Sequence, residues 1–352
     1  MKGKKPTRET NATLLRQSML RRLPRRVAAR GELMLASVPE LLDHYQQMLL
    51  TIFGQLGRVF NEPEKQHLRT VLDTWLKQGW QQSPYTRLLL RFETDPPPKT
   101  TLSYKVALNV VTIADEYEHW TKTRTPPLFG AHPDCKVMDL AKAQGEPKDV
   151  PVLDIGAGTG RNTLPLAREG FPTSAIELAP ALAAVLREDA AKAGLDVTVY
   201  EGDATNPELG VPKERFQLVF LAEVVASHFR NVAHLRQLFE RVVDMLRPGG
   251  LLLFSAFLPL DGYKPDDLAR QLGEVFWCVV FTRADFDQAM AGLPLERVEE
   301  ESTLEYEREH LPPEAWPPTG WFEQWSGGRD LFDLPPGRAP VELRWITYRK
   351  TR

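Results

Sequence analysis

The stretch Val152-Leu153-Asp154-Ile155-Gly156-Ala157-Gly158-Thr159-Gly160 decides the fold of this chain. A short apolar run carries an acid, three glycines follow at alternate positions, and a helix-like pattern then begins at Arg161. This order predicts a buried strand, a tight turn and a helix start. Because glycine has no Cβ, the backbone of such a turn can approach a ligand closely. The stretch therefore predicts a nucleotide-type ligand above the carboxyl end of a strand.

The spacing of the glycines separates two classes of cofactor. The dinucleotide fingerprint is G-x-G-x-x-G, whereas this chain has D-x-G-x-G-x-G. An acid beside the loop suits a ligand with ammonium and sulfonium charges better than a pyrophosphate. The segment resembles motif I of the class I S-adenosylmethionine-dependent methyltransferases. The resemblance implies S-adenosylmethionine as the cofactor, with contacts from Asp154, Gly156, Ala157, Gly158 and Gly160.

A second strand ending in an acid follows the loop. Residues 173–178 are mostly apolar, and Glu177 lies 23 residues after Asp154 (177 − 154). That distance is close to the spacing at which an acid meets ribose hydroxyls. We therefore expect Glu177 and its neighbour Leu178 to contact the cofactor.

Three further elements arrive in the order that this family shows. Residues 197–201 and 216–221 predict the third and fourth strands, and the Leu246-Arg247-Pro248-Gly249-Gly250 turn precedes a fifth. The resemblance implies that Asp203 accepts from the adenine amino group and that Ala204 is a backbone contact. Residues 160–164, a Gly-Phe turn and the acid-ended strand resemble the tellurite-resistance-type and quinone-type enzymes most. In the tellurite-resistance type, the arginine after the loop meets the cofactor carboxylate. This implies the same role for Arg161, with a surface arginine as the alternative.

These elements predict an α/β fold with a Rossmann-like, seven-stranded methyltransferase sheet, helices on both faces and an N-terminal, mainly helical cap. The expected domains are a basic extension (1–30), a helical cap or substrate unit (31–130) and a methyltransferase domain (131–352). Within the last domain, residues 308–340 form an aromatic, proline-rich insertion. The length of 352 residues and the 42% hydrophobic content suffice for a full core and a second unit.

Composition narrows the class of protein. The net charge of −3 argues against a nucleic-acid binder, and two cysteines are too few for a disulfide framework or a zinc site. No apolar run reaches membrane-spanning length, and residues 1–30 lack the apolar centre of a signal peptide. We expect a cytoplasmic enzyme with no membrane partner and no metal. The sequence does not indicate an oligomeric state.

The first 30 residues are strongly basic, with ten Lys or Arg against Glu9 alone, a local charge of +9. Such a segment is typical of an arm for nucleic acid or an acidic partner. It is also typical of an organelle transit peptide. A solvated, partly helical extension is the simplest alternative.

The N-terminal unit reads mainly as a helical hairpin. Apolar residues recur at helical spacing over 41–60 and again over 68–76, and Asn61-Glu62-Pro63 between them is a cap-and-start signal. Residues 87–93 favour a strand, and residues 102–120 are ambiguous.

The segment just upstream of the first strand is a candidate flap over the cofactor. Its polar and aromatic residues Tyr117, His119, Trp120 and Arg124 are candidates for substrate contact. The alternative is a structured linker that docks the helical unit.

The insertion near the C-terminus would overhang the site between two final antiparallel strands. It holds three of the eight tryptophans, and His310 and Trp321 are its candidate substrate contacts. An aromatic wall suits an apolar or aromatic acceptor, or an amine held by cation–π contact. The alternative is that these aromatics pack the insertion.

Two residues after the fourth strand are candidates for catalysis. His228 is the better base because its unperturbed pKa is near neutrality, and Glu223 is a second candidate and a cofactor contact. No Asn-Pro-Pro-Tyr motif follows this strand, which argues against methylation of DNA adenine.

We therefore expect methyl transfer from S-adenosylmethionine to oxygen or nitrogen of a small molecule. The first alternative is a methyltransferase whose macromolecular substrate docks on the N-terminal unit. The second is a binding protein that keeps the fold without catalysis.

Overall fold

The computed structural model describes residues 8–99 and 101–351, and the chain divides into two compact units between Thr112 and Ile113. The division falls 18 residues before the expected boundary (131 − 113). Of the basic extension, Lys2, Lys4 and Lys5 lie outside the described residues.

The first unit combines helices with a small antiparallel sheet of order β1-β2-β3. Its main helix begins where the sequence predicts, because the Asn61 side chain accepts from the Glu64 amide while the Glu64 carboxylate accepts from the Asn61 amide. The elements are α1 (Ala12–Leu20), β1 (Arg30–Ala36), α2 (Leu42–Gln55), α3 (Glu62–Gln82), β2 (Arg87–Thr94) and β3 (Leu102–Asn109).

The predicted helical pair and the strand at 87–93 are confirmed, but a mainly helical cap is an incomplete description. Two flanking strands, β1 and β3, complete a three-stranded sheet that the sequence did not reveal. In both strands exposed residues alternate with half-buried ones, so neither carries a strong apolar pattern. The apolar faces of α2 and α3 pack with β2 around Leu49, Phe53 and Leu72.

The second unit is an α/β domain built on a seven-stranded sheet. Its strands are β4 (Val152–Ile155), β5 (Thr173–Glu177), β6 (Val197–Glu201), β7 (Phe216–Leu221), β8 (Leu246–Pro259), β9 (Leu295–Ser302) and β10 (Val341–Lys350). Its helices are α4 (Ile113–Thr123), α5 (Cys135–Lys142), α6 (Thr163–Arg168), α7 (Pro180–Lys192), α8 (Val225–His228), α9 (Val232–Met245), α10 (Asp267–Val275), α11 (Arg283–Met290), α12 (Thr303–His310) and α13 (Phe322–Ser326).

The strand order β6-β5-β4-β7-β8-β10-β9 confirms the predicted fold class. The first five strands in this order are parallel, and β10 runs antiparallel to both β8 and β9. The order reverses beside β4, so loops from neighbouring strands meet at the carboxyl ends of β4, β5 and β7. Ligands of open α/β sheets bind at such a point.

Helices cover both faces of this sheet, as predicted. Along β7, Leu218 and Phe220 belong to one buried cluster with α5 and α6, while Val219 and Leu221 belong to the opposite cluster with α9 and α11. The alternation follows from the period of two in a strand. A strand that is buried on both sides reads as a continuous apolar run, which is why β4 and β7 were recognisable.

Two details differ from the predicted strands. Residues 247–250 bulge out within β8 rather than preceding it, because Leu246 pairs with Phe216 while Leu251 pairs with Leu218. The predicted sixth strand (295–306) ends at Ser302, whose side chain accepts from the Glu305 amide and starts α12.

Candidate functional site

The glycine loop follows β4 and has the left-handed backbone that glycine adopts readily, with φ of 77° at Gly156, 57° at Gly158 and 94° at Gly160. The amide of Gly156 donates to the Ile176 carbonyl at 2.8 Å, which holds the loop beside the end of β5. A Cβ at Gly156 would lie 2.3 Å from Val224 Cγ2. The loop is therefore a closely packed turn and would not admit side chains.

Glu177 lies at the centre of this site. Its Oε2 accepts from the Gly158 amide at 2.7 Å, and its Oε1 accepts from the Ala179 amide at 2.8 Å. Burial raises the pKa of this carboxyl, and these amide hydrogen bonds oppose the rise. Each carboxylate oxygen has a second lone pair. Glu177 itself is 4% exposed, while Leu178 beside it is 51% exposed.

Asp154 lies within β4 and is only 2% exposed. Its Oδ2 accepts from the Thr163 hydroxyl at 2.6 Å, which ties the strand to the start of α6. Burial raises the pKa of Asp154 to about 7. In the structure this acid fastens the loop to its helix, and a direct contact with a cofactor stays a prediction.

Arg161 is held by two carboxylates. Its Nη1 donates to Asp134 Oδ1 at 2.6 Å and its Nη2 donates to Glu223 Oε1 at 2.8 Å. Burial alone would lower the pKa of Arg161, but the two acids raise it above its ordinary value. Burial raises the pKa of Glu223. The network carries more acids than bases, so it is suited to a cationic ligand group.

Asp134 was missed by sequence reasoning. It lies 20 residues before Asp154 (154 − 134) and outside the motif, and no local pattern marks it. Its role follows from tertiary contacts, because its Oδ2 also accepts from Asn162 Nδ2 at 2.8 Å.

The loop after β6 joins the same edge of the sheet. The Gly202 amide donates to the Glu177 carbonyl at 2.9 Å, which brings Asp203 and Ala204 alongside Glu177. The exposed Asp203 carboxylate accepts from the amide and the hydroxyl of Thr205 through one oxygen, Oδ1. Its other oxygen makes no hydrogen bond within the described residues.

A group of half-buried rings, hereafter the aromatic cluster, lies beside the glycine loop. It begins at the loop itself, because a Cβ at Gly158 would lie 3.1 Å from the Phe129 ring. Ring centroids within the cluster are separated by 5.3–6.3 Å. None of these rings is fully buried, unlike the aromatics of the core. The cluster consists of Tyr117, Trp120, Phe129, His228 and Trp277.

His228 is the polar centre of the aromatic cluster. Its Nε2 lies 2.8 Å from the Tyr117 hydroxyl, and its buried Nδ1 has no hydrogen-bond partner among the described residues. Burial lowers the pKa of His228 to about 4, against a smaller opposing effect of the Ser227 backbone. The imidazole is therefore neutral at pH 7. With its proton on Nε2, donated to the Tyr117 oxygen, a lone pair remains on Nδ1.

Trp277 is the second residue that sequence reasoning missed. It lies between α10 and α11, outside every segment that the motif pattern marked. One signal in the sequence could have pointed to it. Helices commonly end with a glycine in the left-handed conformation, and no glycine directly follows α10.

The structure places the remaining substrate candidates in different parts of the second unit. Tyr117 and Trp120 enter the aromatic cluster, and the Arg124 guanidinium lies 3.6 Å from the Trp120 ring centroid. His119 is exposed on α4. In the insertion, His310 stacks on Tyr306 at 4.0 Å, and Trp321 packs edge-on against Trp325.

The insertion approaches the segment around Phe129 at one point, and its overhang of the site stays a prediction. A Cβ at Gly130, next to Phe129, would lie 3.1 Å from the Pro318 carbonyl. The insertion therefore packs against the segment that carries the aromatic cluster.

Among the described residues, no group of His, Cys, Asp and Glu side chains is arranged to hold a metal ion. Over residues 8–99 and 101–351, every helix is too short or too polar to cross a membrane.

Comparison with known proteins points to one family. A family model described as a methyltransferase domain matches residues 152–250. The chain is 34% identical over 108 residues to a ubiquinone biosynthesis O-methyltransferase of Azorhizobium caulinodans, covering 31% of this chain and 40% of the relative. It thus spans about two fifths of that relative's length.

Two other proteins are similar over larger shares of their length. The chain is 30% identical over 141 residues to a Methanothermobacter thermautotrophicus protein named "Probable cobalt-precorrin-6B C(15)-methyltransferase (decarboxylating)", covering 40% of this chain and 67% of the relative. Among solved structures, geranyl diphosphate C-methyltransferase from Streptomyces coelicolor A3(2) has a TM-score of 0.46 and 16% identity, covering 68% of this chain and 98% of that one.

Proposed function

Because this chain belongs to the class I S-adenosylmethionine-dependent methyltransferases, we propose that it transfers a methyl group from S-adenosylmethionine to oxygen or nitrogen of a small molecule. The observation that carries the proposal is the Glu177 carboxylate, buried between two backbone amides at the glycine loop. When bound, S-adenosylmethionine supplies an electrophilic methyl group on its sulfonium, and the thioether is the leaving group.

The proposed cofactor contacts follow from position and chemistry. Glu177 accepts from the ribose hydroxyls, and the free oxygen of Asp203 accepts from the adenine amino group. Leu178 and Ala204 cover the faces of the adenine ring. The surplus acid of the Asp134–Arg161–Glu223 network, which is largely buried, favours the cationic part of the cofactor. A remaining Arg161 N–H can meet the cofactor carboxylate, since a guanidinium has five donors.

The aromatic cluster is the proposed acceptor site. His228 is neutral, and its buried Nδ1 has no hydrogen-bond partner among the described residues, which supports it as the base that takes the proton of an acceptor hydroxyl. In the tautomer with its proton on Nε2, His228 donates to the Tyr117 oxygen and keeps a lone pair on Nδ1. The rings orient the acceptor and exclude water, and alignment of this kind is worth about 7–11 kcal/mol in favourable cases.

An oxygen acceptor is the favoured case. The first relative is named for O-methylation in ubiquinone biosynthesis, which supports transfer to oxygen of a small molecule. A hydroxyl must lose its proton in the reaction, and the cluster offers one neutral base.

Calorimetric titration of S-adenosylhomocysteine tests the cofactor site. We expect the wild-type protein to bind it and Glu177→Gln and Glu177→Asp to bind at least about tenfold more weakly, because hydrogen bonds to charged groups contribute roughly 1.5–3 kcal/mol each.

The matched control is Glu201→Gln. Glu201 pairs with Glu177 across β5 and β6, but it is exposed and bound to Arg187. Unchanged affinity in both Glu177 variants, at unchanged circular dichroism, would refute the site. Turnover of labelled S-adenosylmethionine with a panel of phenols, hydroquinones and amines then identifies the acceptor. Binding without any turnover would favour a non-catalytic protein.

A further inference from the structure

Trp277 occupies a backbone position that normally belongs to glycine. Helix α10 ends at Val275, and the Cys278 amide donates to the Gly273 carbonyl at 2.7 Å. This bond from the second residue after the cap to the last turn is the Schellman arrangement, in which the residue just after the cap is left-handed. That residue is Trp277, with φ of 60°. A bulky residue rarely adopts this conformation.

Contacts on both sides hold the strained residue in place. The Trp277 carbonyl accepts from the Trp325 indole N–H at 2.9 Å. The Val279 amide donates to the Ala226 carbonyl of α8 at 2.7 Å, and Cys278 between them is fully buried. Strain that the surroundings over-determine in this way is concentrated at functional sites.

The strained backbone directs the Trp277 ring into the aromatic cluster. Its centroid lies 5.4 Å from that of His228, 5.8 Å from Tyr117 and 5.3 Å from Trp120. The indole therefore borders the imidazole whose Nδ1 has no partner in the described part of the chain. An acceptor ring placed beside this imidazole would also lie close to the indole.

The charges around the aromatic cluster favour uncharged aromatic acceptors over cationic amines. The Arg124 guanidinium already lies over the Trp120 ring, so a cation already occupies that ring face. His228 adds no negative charge. The cluster is consequently better suited to a neutral or anionic flat molecule than to a cationic one.

We propose that Trp277 is the specificity-determining residue of the acceptor site and that this site takes flat aromatic hydroxyl compounds. The proposal rests on the proposed methyl transfer, because it places the acceptor in the same cluster. A tryptophan occupies a backbone position that favours glycine, and its indole thereby lies beside His228.

The test compares two probes of the same skeleton on protein saturated with S-adenosylhomocysteine: a naphthol and its fully saturated, non-planar counterpart. By calorimetry, the wild-type protein should bind the naphthol roughly two- to tenfold more tightly, the range measured for aromatic pairs. Trp277→Gly should lose this preference while its helix cap stays intact, because glycine suits the left-handed position. Trp277→Asn, which also tolerates it, is the second variant.

Two controls match the substitution. Phe276→Ala removes the adjacent ring, which is 44% exposed and outside the cluster, and Asp261→Gly relieves another left-handed residue, with φ of 48°. Both should keep the preference for the naphthol. Equal affinity of the wild-type protein for the two probes, a preference retained in Trp277→Gly, or tighter binding of benzyltrimethylammonium than of naphthol would overturn the proposal. Absence of S-adenosylhomocysteine binding would instead overturn the proposed function beneath it.

Discussion

The two aromatic regions of the second unit differ in what their rings do. In the insertion, Phe322 is 2% and Trp325 is 5% exposed, and the Trp325 indole N–H is hydrogen-bonded. In the aromatic cluster the rings are half-buried, and one imidazole nitrogen among them has no hydrogen-bond partner within residues 8–99 and 101–351. Rings that are buried with satisfied polar atoms stabilise a fold. Half-buried rings around a nitrogen that lacks a hydrogen bond contribute less to stability. Such an arrangement is more typical of a binding site.

The insertion also supports the cluster. Trp325 donates to the carbonyl of Trp277, so a packed tryptophan fixes the backbone of a strained one. For the insertion, the sequence was compatible with an aromatic wall over the site or with packing of the insertion itself. The rings of the aromatic cluster come mainly from α4, its following segment and the loop after α10.

The largest expected effect concerns His228. Substituting His228→Gln should lower kcat for the identified acceptor by about 10²–10⁴-fold, the usual contribution of a positioned base. The measurement is initial-rate kinetics with labelled S-adenosylmethionine.

Tyr117→Phe sharpens this prediction. It removes the oxygen that accepts from Nε2, so a smaller loss of kcat is expected with the base still present. His67→Gln on the exposed face of α3 is the control. Full activity of His228→Gln would show that the aromatic cluster serves packing alone. The proposed difference between the two aromatic regions would then be wrong.

The next effect concerns the insertion. Phe322→Ala should reduce the free energy of unfolding by about 3–5 kcal/mol, because it empties a buried aromatic position. Urea titration followed by circular dichroism measures the change.

Trp321→Ala is the matched control, because Trp321 is 38% exposed and its truncation removes less buried surface. Within the aromatic cluster, Trp120→Ala should cost less stability than Phe322→Ala. The reverse order would contradict the division of the two regions into packing and binding.

The smallest effect is a pH dependence of stability. Burial lowers the pKa of His228 to about 4, below the ordinary value near 6.5. The unfolded chain therefore takes up this proton first, and the contribution of His228 is present above pH 6.5 and lost as the pH falls towards 4. The full loss is about 3 kcal/mol (2.5 × 1.36).

Comparing the wild-type protein with His228→Gln isolates the titration of His228 from that of the other residues. The difference in unfolding free energy between wild type and His228→Gln should move against the wild type between about pH 7 and pH 4.5 by roughly 2–3 kcal/mol. A constant difference would show that the imidazole is not held neutral by burial.

Several features could be predicted because their signals are local. β4, β5 and β7 carry apolar runs, the three glycines mark a turn, and Asn61 marks a helix start. β1 and β3 could not be recognised, because their alternation is shallow and only pairing with β2 makes them strands. The position of Glu177 followed from strand spacing, but its two amide partners did not.

By itself, the amino-acid sequence determined the fold of the second unit, the glycine loop and the family, since buried parallel strands and tight turns restrict residue types over short spans. Only the tertiary structure decided the composition of the candidate site. Tyr117 meets His228, Arg161 meets Asp134, and Trp277 joins them from across the sequence. Contacts between residues so distant depend on packing, which no local pattern encodes.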